Sequence, residues 1–269
     1  EALLNELLDD MDLFGFKREP LMRKSISDKW SMLKRQKMLD SQIHSPKYLI
    51  QQLRENFSYD DLREISSLLV TVRKEWCRQF CQQNGHIELL LILSITQAKI
   101  DFGLQQEQSY EIIQTCLSSI RSIIDIKDTS KYITSQPNSL KTIINSICFD
   151  SKILTTIFDI LINFIFENDT NEQNQIKTTK KILNYFNNLD KNDQNGWEII
   201  LTILKTPNDK FYHMFLRSLI SFLSALSLFF CKYPSLFNDW YTEVEKIGLI
   251  QLLNSLKEDP PVMKLSELV

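Results

Sequence analysis

Turn-forming residues are scarce in this chain: five glycines and seven prolines among 269 residues are too few for a many-stranded fold. The glycines (Gly15, Gly85, Gly103, Gly196, Gly248) are also isolated, so no glycine-rich loop can cradle a phosphate and nucleotide chemistry is not expected. Histidine is scarcer still. His44, His86 and His213 are scattered, none with a glutamate at metalloprotease spacing, and they read as helix-end or surface residues. Serine and aspartate are plentiful but lack a nucleophile-elbow context, so no residue constellation supports an enzyme. The five cysteines (Cys77, Cys81, Cys116, Cys148, Cys231) are odd in number and fall mostly inside apolar helical runs. They read as small buried hydrophobes in a reducing compartment. Long apolar runs are missing too. The longest, SLISFLSALSLFFC at 218–231, is fourteen residues between Arg217 and Lys232, short of the roughly 20 needed to span a bilayer. It reads as a core helix, and no direct membrane insertion is expected. The acidic opening, EALLNELLDD, carries no charged-then-apolar leader, so no secretory signal is expected.

What the chain does have is helical periodicity. An apolar content of 43% can fill a substantial core. Residues 60–72 place Leu62, Ile65, Leu68, Leu69 and Val72 on one helical face. The pattern returns in 107–124 through Ile113, Cys116, Leu117, Ile120 and Ile124, and in 150–166 through Ile153, Leu154, Ile157, Ile160, Leu161 and Phe164. Segment 211–231 is apolar nearly all round, with Ser218, Ser221, Ser224 and Ala225 small enough to let neighbours approach closely. Further helices are expected at 86–97, 139–148 and 195–205, the last two opened by Asn138 and Asn195 as capping residues. Groups of two or three helices at a period of roughly 40 to 47 residues are the signature of armadillo and HEAT arrays. An irregular helical bundle is the alternative. Asp40–Ser45 reads as a boundary before a helix with Pro46 in its first turn, and 167–175 as a surface loop. Through the asparagine-dense stretch that follows, Ile182, Leu183, Phe186 and Leu189 keep a helical stripe.

Two constellations invite chemistry. Cys77 and Cys81 share a helix face with His86 five residues on, but a fourth metal ligand is not evident and Trp76 and Phe80 mark the helix as packed. No metal is expected. Residues 16–37, FKREPLMRKSISDKWSMLKRQK, hold eight cations against two acids in a chain whose net charge is −3. The interleaved Leu21, Met22, Ile26, Trp30, Met32 and Leu33 suit helix packing better than base stacking, and the acidic balance of the whole argues against nucleic acid.

Residues 1–39 followed by SPKYLIQQL at 45–53 resemble the GTPase-binding segment of Diaphanous-related formins. That segment runs as an acidic LLDEL helix, a KR..L helix, an EKKW.L helix and then SP.YYI..L. The residues that carry the resemblance are Leu3, Leu4, Glu6, Leu7, Lys17, Arg18, Leu21, Lys29, Trp30, Leu33, Ser45, Pro46, Tyr48, Ile50 and Leu53. The remainder is similar to the family's armadillo-repeat inhibitory region, also called the formin homology 3 region. Here LREISSLLVTV precedes EWCRQFCQQNGHIELLLIL, and WYTEVEKIGLIQLLNSLKE closes the likeness at 240–258.

The resemblance implies an all-α protein, with a helical GTPase-binding segment at 1–45 and an armadillo-repeat superhelix at 46–269. It implies that a Rho-family GTPase in its GTP state docks on the basic segment and the first repeat. Lys17, Arg18 and Lys29 would steer the encounter, with Leu13, Phe14, Phe16, Leu21, Met22 and Leu33 as apolar anchors. Trp30, with Leu33 and Ile26 on its helix face, is expected to glue the short helices to the armadillo body rather than to face the partner. Where the family has an asparagine-rich turn, this chain has Arg73, Lys74 and Glu75, which bears on which GTPase is chosen. GTP and magnesium belong to that partner and no cofactor to this chain. The family switch adds a C-terminal autoregulatory helix of the same polypeptide, which docks in the groove of the array and is displaced by the GTPase. Gln114, Ser118, Lys152, Thr156 and Asn163, opposite the core stripes, are expected to line that groove. Actin is reached only through domains outside this chain. The expected setting is cytoplasmic, on the actin cytoskeleton, with recruitment to membranes through the GTPase. A generic armadillo protein-interaction scaffold is the alternative function, with a nucleic-acid binder ranked behind it.

Overall fold

The computed structural model describes residues 4, 5, 8, 18–33, 45–55, 57–71, 74–104, 108–148, 150–166, 172–191, 193–206 and 210–251. Among them the regular structure is helical, with one isolated bridge between Lys191 and Gln194. The chain divides into two compact units, Glu1–Glu88 and Leu89–Val269.

The first unit holds α1 (Glu19–Met22), α2 (26–33), α3 (Pro46–Glu55), α4 (Tyr59–Thr71), α5 (Lys74–Gln82) and the first turn of α6 (Gly85–Asp101). Its helices start where serines can cap them. Ser25 Oγ accepts from Asp28 N at 3.1 Å, Ser45 Oγ from Tyr48 N at 3.3 Å, and Ser58 Oγ from Asp61 N at 3.1 Å, each satisfying an N–H that a helix start leaves open. Pro46 is the first residue of α3, where its missing N–H costs nothing. Trp76 stacks on Phe80 at 5.4 Å, and Cys77 and Cys81 are buried beside them. Their mutual hydrogen bond, with burial, pushes the Cys81 thiol far up, so it stays protonated. His86 lies at a helix start as expected but is buried rather than at the surface, and desolvation lowers its pKa. Among the described residues no group of three His, Cys, Asp or Glu is placed to hold a metal ion.

The second unit continues with α7 (Ser109–Ile124), α8 (Lys127–Thr134), α9 (Ser139–Asn145), α10 (Ser151–Phe166), α11 (Glu172–Asn187), α12 (Gly196–Leu204), α13 (Tyr212–Lys232) and α14 (Phe237–Lys246). Two triplets, α8-α9-α10 and α11-α12-α13, each end in a long helix, the armadillo-like pattern. The long helices α7, α10 and α13 lie side by side and run the same way. Gln114 meets Thr156, Arg121 meets Asp159 and Asp125 meets Asn163, while Lys152 lies over the Phe211 ring and Asp159 bonds Ser218. Residue numbers rise together along both seams, as parallel neighbours require.

Beneath them is an aromatic core. Phe222 of α13 stacks on Phe158 of α10 at 5.1 Å, on Phe186 of α11 at 5.9 Å and on Trp197 of α12 at 6.4 Å. Trp197 donates its indole N–H to Asn187 Oδ1 at 2.9 Å, as a buried Trp must. Gly196 is required by this packing, since a Cβ there would lie 2.7 Å from the Phe186 ring. The apolar run of fourteen residues has grown into a 21-residue helix, α13, long and apolar enough to cross a membrane by composition alone. Phe215, Leu219, Phe222, Leu226 and Phe229 are nevertheless buried inside the protein, so it is a core helix. Ser218 does sit at the α10 seam, whereas Ser221 is exposed and contributes nothing to close approach.

Two local expectations need correction. Asn138 precedes α9 but makes no side-chain cap, whereas Asn195 forms a full capping box with Glu198. The loop expected over 167–175 ends early, because α11 already starts at Glu172; residues 167–171 lie outside the described residues. Asn195→Ala should lower stability by about 1 kcal/mol, read as a shift in the urea midpoint with unchanged slope. No shift would show that the box contributes nothing to α12.

Candidate functional site

The basic segment is organised by its leucines. Leu4 and Leu8 are fully buried, and Leu21, Met22 and Leu33 pack against them. The Arg18 guanidinium folds back over this cluster, with Nη2 donating to the Asn5 carbonyl at 3.1 Å and to Asn5 Oδ1 at 2.9 Å. Arg18, Leu21, Met22 and Leu33, all expected at a partner, are therefore engaged in building the segment itself. Arg23 is paired with Glu19 at 3.0 Å, both exposed, a contact worth under about 1 kcal/mol.

The residue expected to be the glue is the one left open. Trp30 is 57% exposed and Ile26, one turn before it, 77%. They form an apolar pair at i, i+4 on α2, with Lys24 exposed and Lys29 half-buried close by in sequence. The packing role assigned to Trp30 from the sequence is thus corrected. Leu33 lies three residues from Trp30 and four from Lys29, and the buried leucines draw it away from the Ile26–Trp30 face. Lys74 opens α5 half-buried, and Arg78 pairs with Glu75 beyond it. Leu13, Phe14, Phe16, Lys17 and Arg73 lie outside the described residues.

The residues assigned to a groove come together, but as a seam between helices. Gln114 Nε2 donates to Thr156 Oγ1 at 3.0 Å and to Ser118 Oγ at 3.3 Å, and Thr156 is 5% exposed. Arg121 pairs with Asp159 at 2.6 Å, and Asp159 Oδ1 accepts from Ser218 Oγ at 3.0 Å. Asn163 Nδ2 donates to Asp125 Oδ1 at 3.2 Å. Burial raises the Asp125 pKa, and the neighbouring Asp159 carboxylate adds to the rise; Arg121 and the Asn163 amide oppose it. Thr156 is a closed contact rather than an open lining residue, while Lys152 is exposed. The rungs at Arg121, Asp125 and Asp159 were not anticipated, and Ser218 was expected there only as a small residue. Their signal was present in the sequence, since polar residues three or four apart on one helix recur on the next.

Armadillo-like three-helix repeats in the second unit and, in the first, a short helix with an exposed apolar pair are the make-up of a helical interaction module. Residues 1–166 match the family described as the Diaphanous GTPase-binding Domain. The chain belongs to that family, the N-terminal region of the Diaphanous-related formins. Among solved structures it is similar to E. histolytica Formin1 bound to EhRho1-GTPγS, with a TM-score of 0.70 at 14% identity over 96% of this chain and 88% of that one. At that identity the likeness establishes the fold. Among curated proteins none matches the chain.

Proposed function

We propose that this chain binds a Rho-family GTPase in its GTP state, with Ile26 and Trp30 of α2 as the central apolar contact and Lys24 and Lys29 as the steering charges. The carrying observation is that exposed pair in a family whose defining domain binds GTPases. A large aromatic more than half exposed is the residue type that dominates interface energetics. The solved relative, a formin in complex with a Rho protein carrying a GTP analogue, supports the same reading. GTP and magnesium are held by the partner.

In the full-length protein this binding would relieve an autoinhibitory contact of a C-terminal helix and so control actin filament nucleation and elongation by domains outside this chain. A helix lying on the α7-α10-α13 face would meet a seam whose polar side chains are largely paired with one another, Gln114 Oε1 being buried without a partner among the described residues. Its apolar anchoring would fall to exposed side chains such as Met214, one turn before Ser218, so weak autoinhibition is expected. The setting is cytoplasmic, at membranes where the GTPase resides.

The test is a pulldown with Rho-family GTPases loaded with GTPγS or GDP. Retention should occur only in the GTPγS state; equal retention in both states, or none with any of them, overturns the reading. In the same system Lys24→Glu/Lys29→Glu should slow association several-fold at low salt, flatten its salt dependence and leave dissociation nearly unchanged. Arg18 is left intact because it ties α1 to Asn5. Association kinetics identical to the native chain would remove the steering role.

A further inference from the structure

We propose that α11 carries a second, independent interaction surface that seats the protein on an anionic membrane leaflet. Gln173, Ile176, Lys177, Lys180, Lys181 and Asn184 line an open depression of about 640 Å³ along one face of this helix. Their spacing, with residues three and four apart, brings all six onto adjacent turns. From Gln173 to Asn184 the strip is about 16 Å long.

Among the described residues no acid neutralises the lysines. Lys177, Lys180 and Lys181 are exposed and enter none of the ion pairs made by the described residues. Glu172, the acid at the start of the helix, is held by Lys232 of α13 at 2.9 Å. Three ammonium groups with no acidic partner among the described residues thus sit together on a chain whose net charge is −3, a local field opposite in sign to that of the whole.

The chemistry of the strip selects a surface over a single anion. Lysine is a flexible point charge without the fork that arginine uses to grip one phosphate. Among the described residues no ion pair draws the three ammonium groups to one point. A leaflet offers many phosphate and carboxylate groups side by side and can meet each lysine where it lies. Ile176, half-buried among them, gives the strip an apolar residue at the level where headgroups meet acyl chains, the composition of an interfacial helix face. Nucleic acid fits less well, since no aromatic lines the depression for base stacking.

The experiment is flotation of the 269-residue chain with vesicles of phosphatidylcholine alone and of phosphatidylcholine mixed with phosphatidylserine. Binding should require phosphatidylserine and weaken as salt rises. Lys177→Gln/Lys180→Gln/Lys181→Gln should reduce partitioning roughly 100-fold, about fivefold per lysine. Its helical circular dichroism should match that of the native chain, because the sites are exposed and Gln is as good a helix former as Lys. Lys24→Gln/Lys29→Gln serves as the comparison and should retain vesicle binding. The proposal is overturned if binding ignores phosphatidylserine, if the α11 variant partitions like the native chain, or if the loss follows the Lys24/Lys29 variant instead. It is equally overturned if inorganic phosphate or a short single-stranded RNA binds the α11 lysines while vesicles do not. GTPase binding by the α11 variant should remain unchanged, which separates this surface from the α2 face.

Discussion

Phe222→Ala should destabilise the protein by about 3–5 kcal/mol, the usual cost of emptying a buried phenylalanine site. Its ring is fully buried and stacks on Phe158, Phe186 and Trp197, so one truncation removes a shared contact of α10, α11, α12 and α13. The cavity cannot close easily. Gly196 already lies against Phe186, and Trp197 is fixed by its bond to Asn187, so the neighbours have little freedom to move in. Urea denaturation would read the change as a lowered midpoint. Phe222→Leu, which keeps most of the volume, should cost appreciably less. A loss under about 1 kcal/mol for the alanine variant, the size of an ordinary substitution, would show that this aromatic cluster is not where the repeats are joined.

The second large effect lies at the other end of the chain and on a different quantity. Trp30→Ala should weaken binding of the GTPγS-loaded GTPase by about 2 kcal/mol or more, some thirtyfold in Kd. It should leave the denaturation midpoint within about 0.5 kcal/mol of the native value, as exposed substitutions do. The separation of the two readouts is the informative part. Were Trp30 the internal glue that its sequence neighbours suggest, stability would fall and affinity would follow only through unfolding. With 57% of the side chain exposed, the structure predicts the reverse. An unchanged Kd would remove α2 from the interface.

The helices were legible because their cores repeat every three or four residues over long stretches. Leu62, Ile65 and Leu69, then Ile113, Leu117 and Ile120, are buried as their spacing demands, and boundaries such as Pro46 and Asn195 follow from elementary capping chemistry. The site was harder to read for a physical reason. A helix of eight residues has several apolar positions, and periodicity cannot say which of them meets Leu4 and Leu8. Trp30 and Leu33 are three apart and look like one face until the packing separates them. Thr156 was misplaced for a related reason. α10 is flanked by α7 on one side and α13 on the other, so it buries far more of its circumference than a one-stripe helix. Thr156, Asp159 and Asn163 are consumed by its neighbours rather than offered to a partner.

The match to the GTPase-binding family ends at residue 166, which is also the last residue of α10. An evolutionary border and a folding border need not coincide, and here they part. Phe158 lies before that point and two of its ring partners, Phe215 and Phe222, after it; the Asp159–Ser218 bond crosses it as well. Cutting there would sever a load shared across the cut and turn an interior wall into a wet, sticky flank. The part of the second unit that falls inside the match, 89–166, therefore leans on its downstream neighbour as on a bookend.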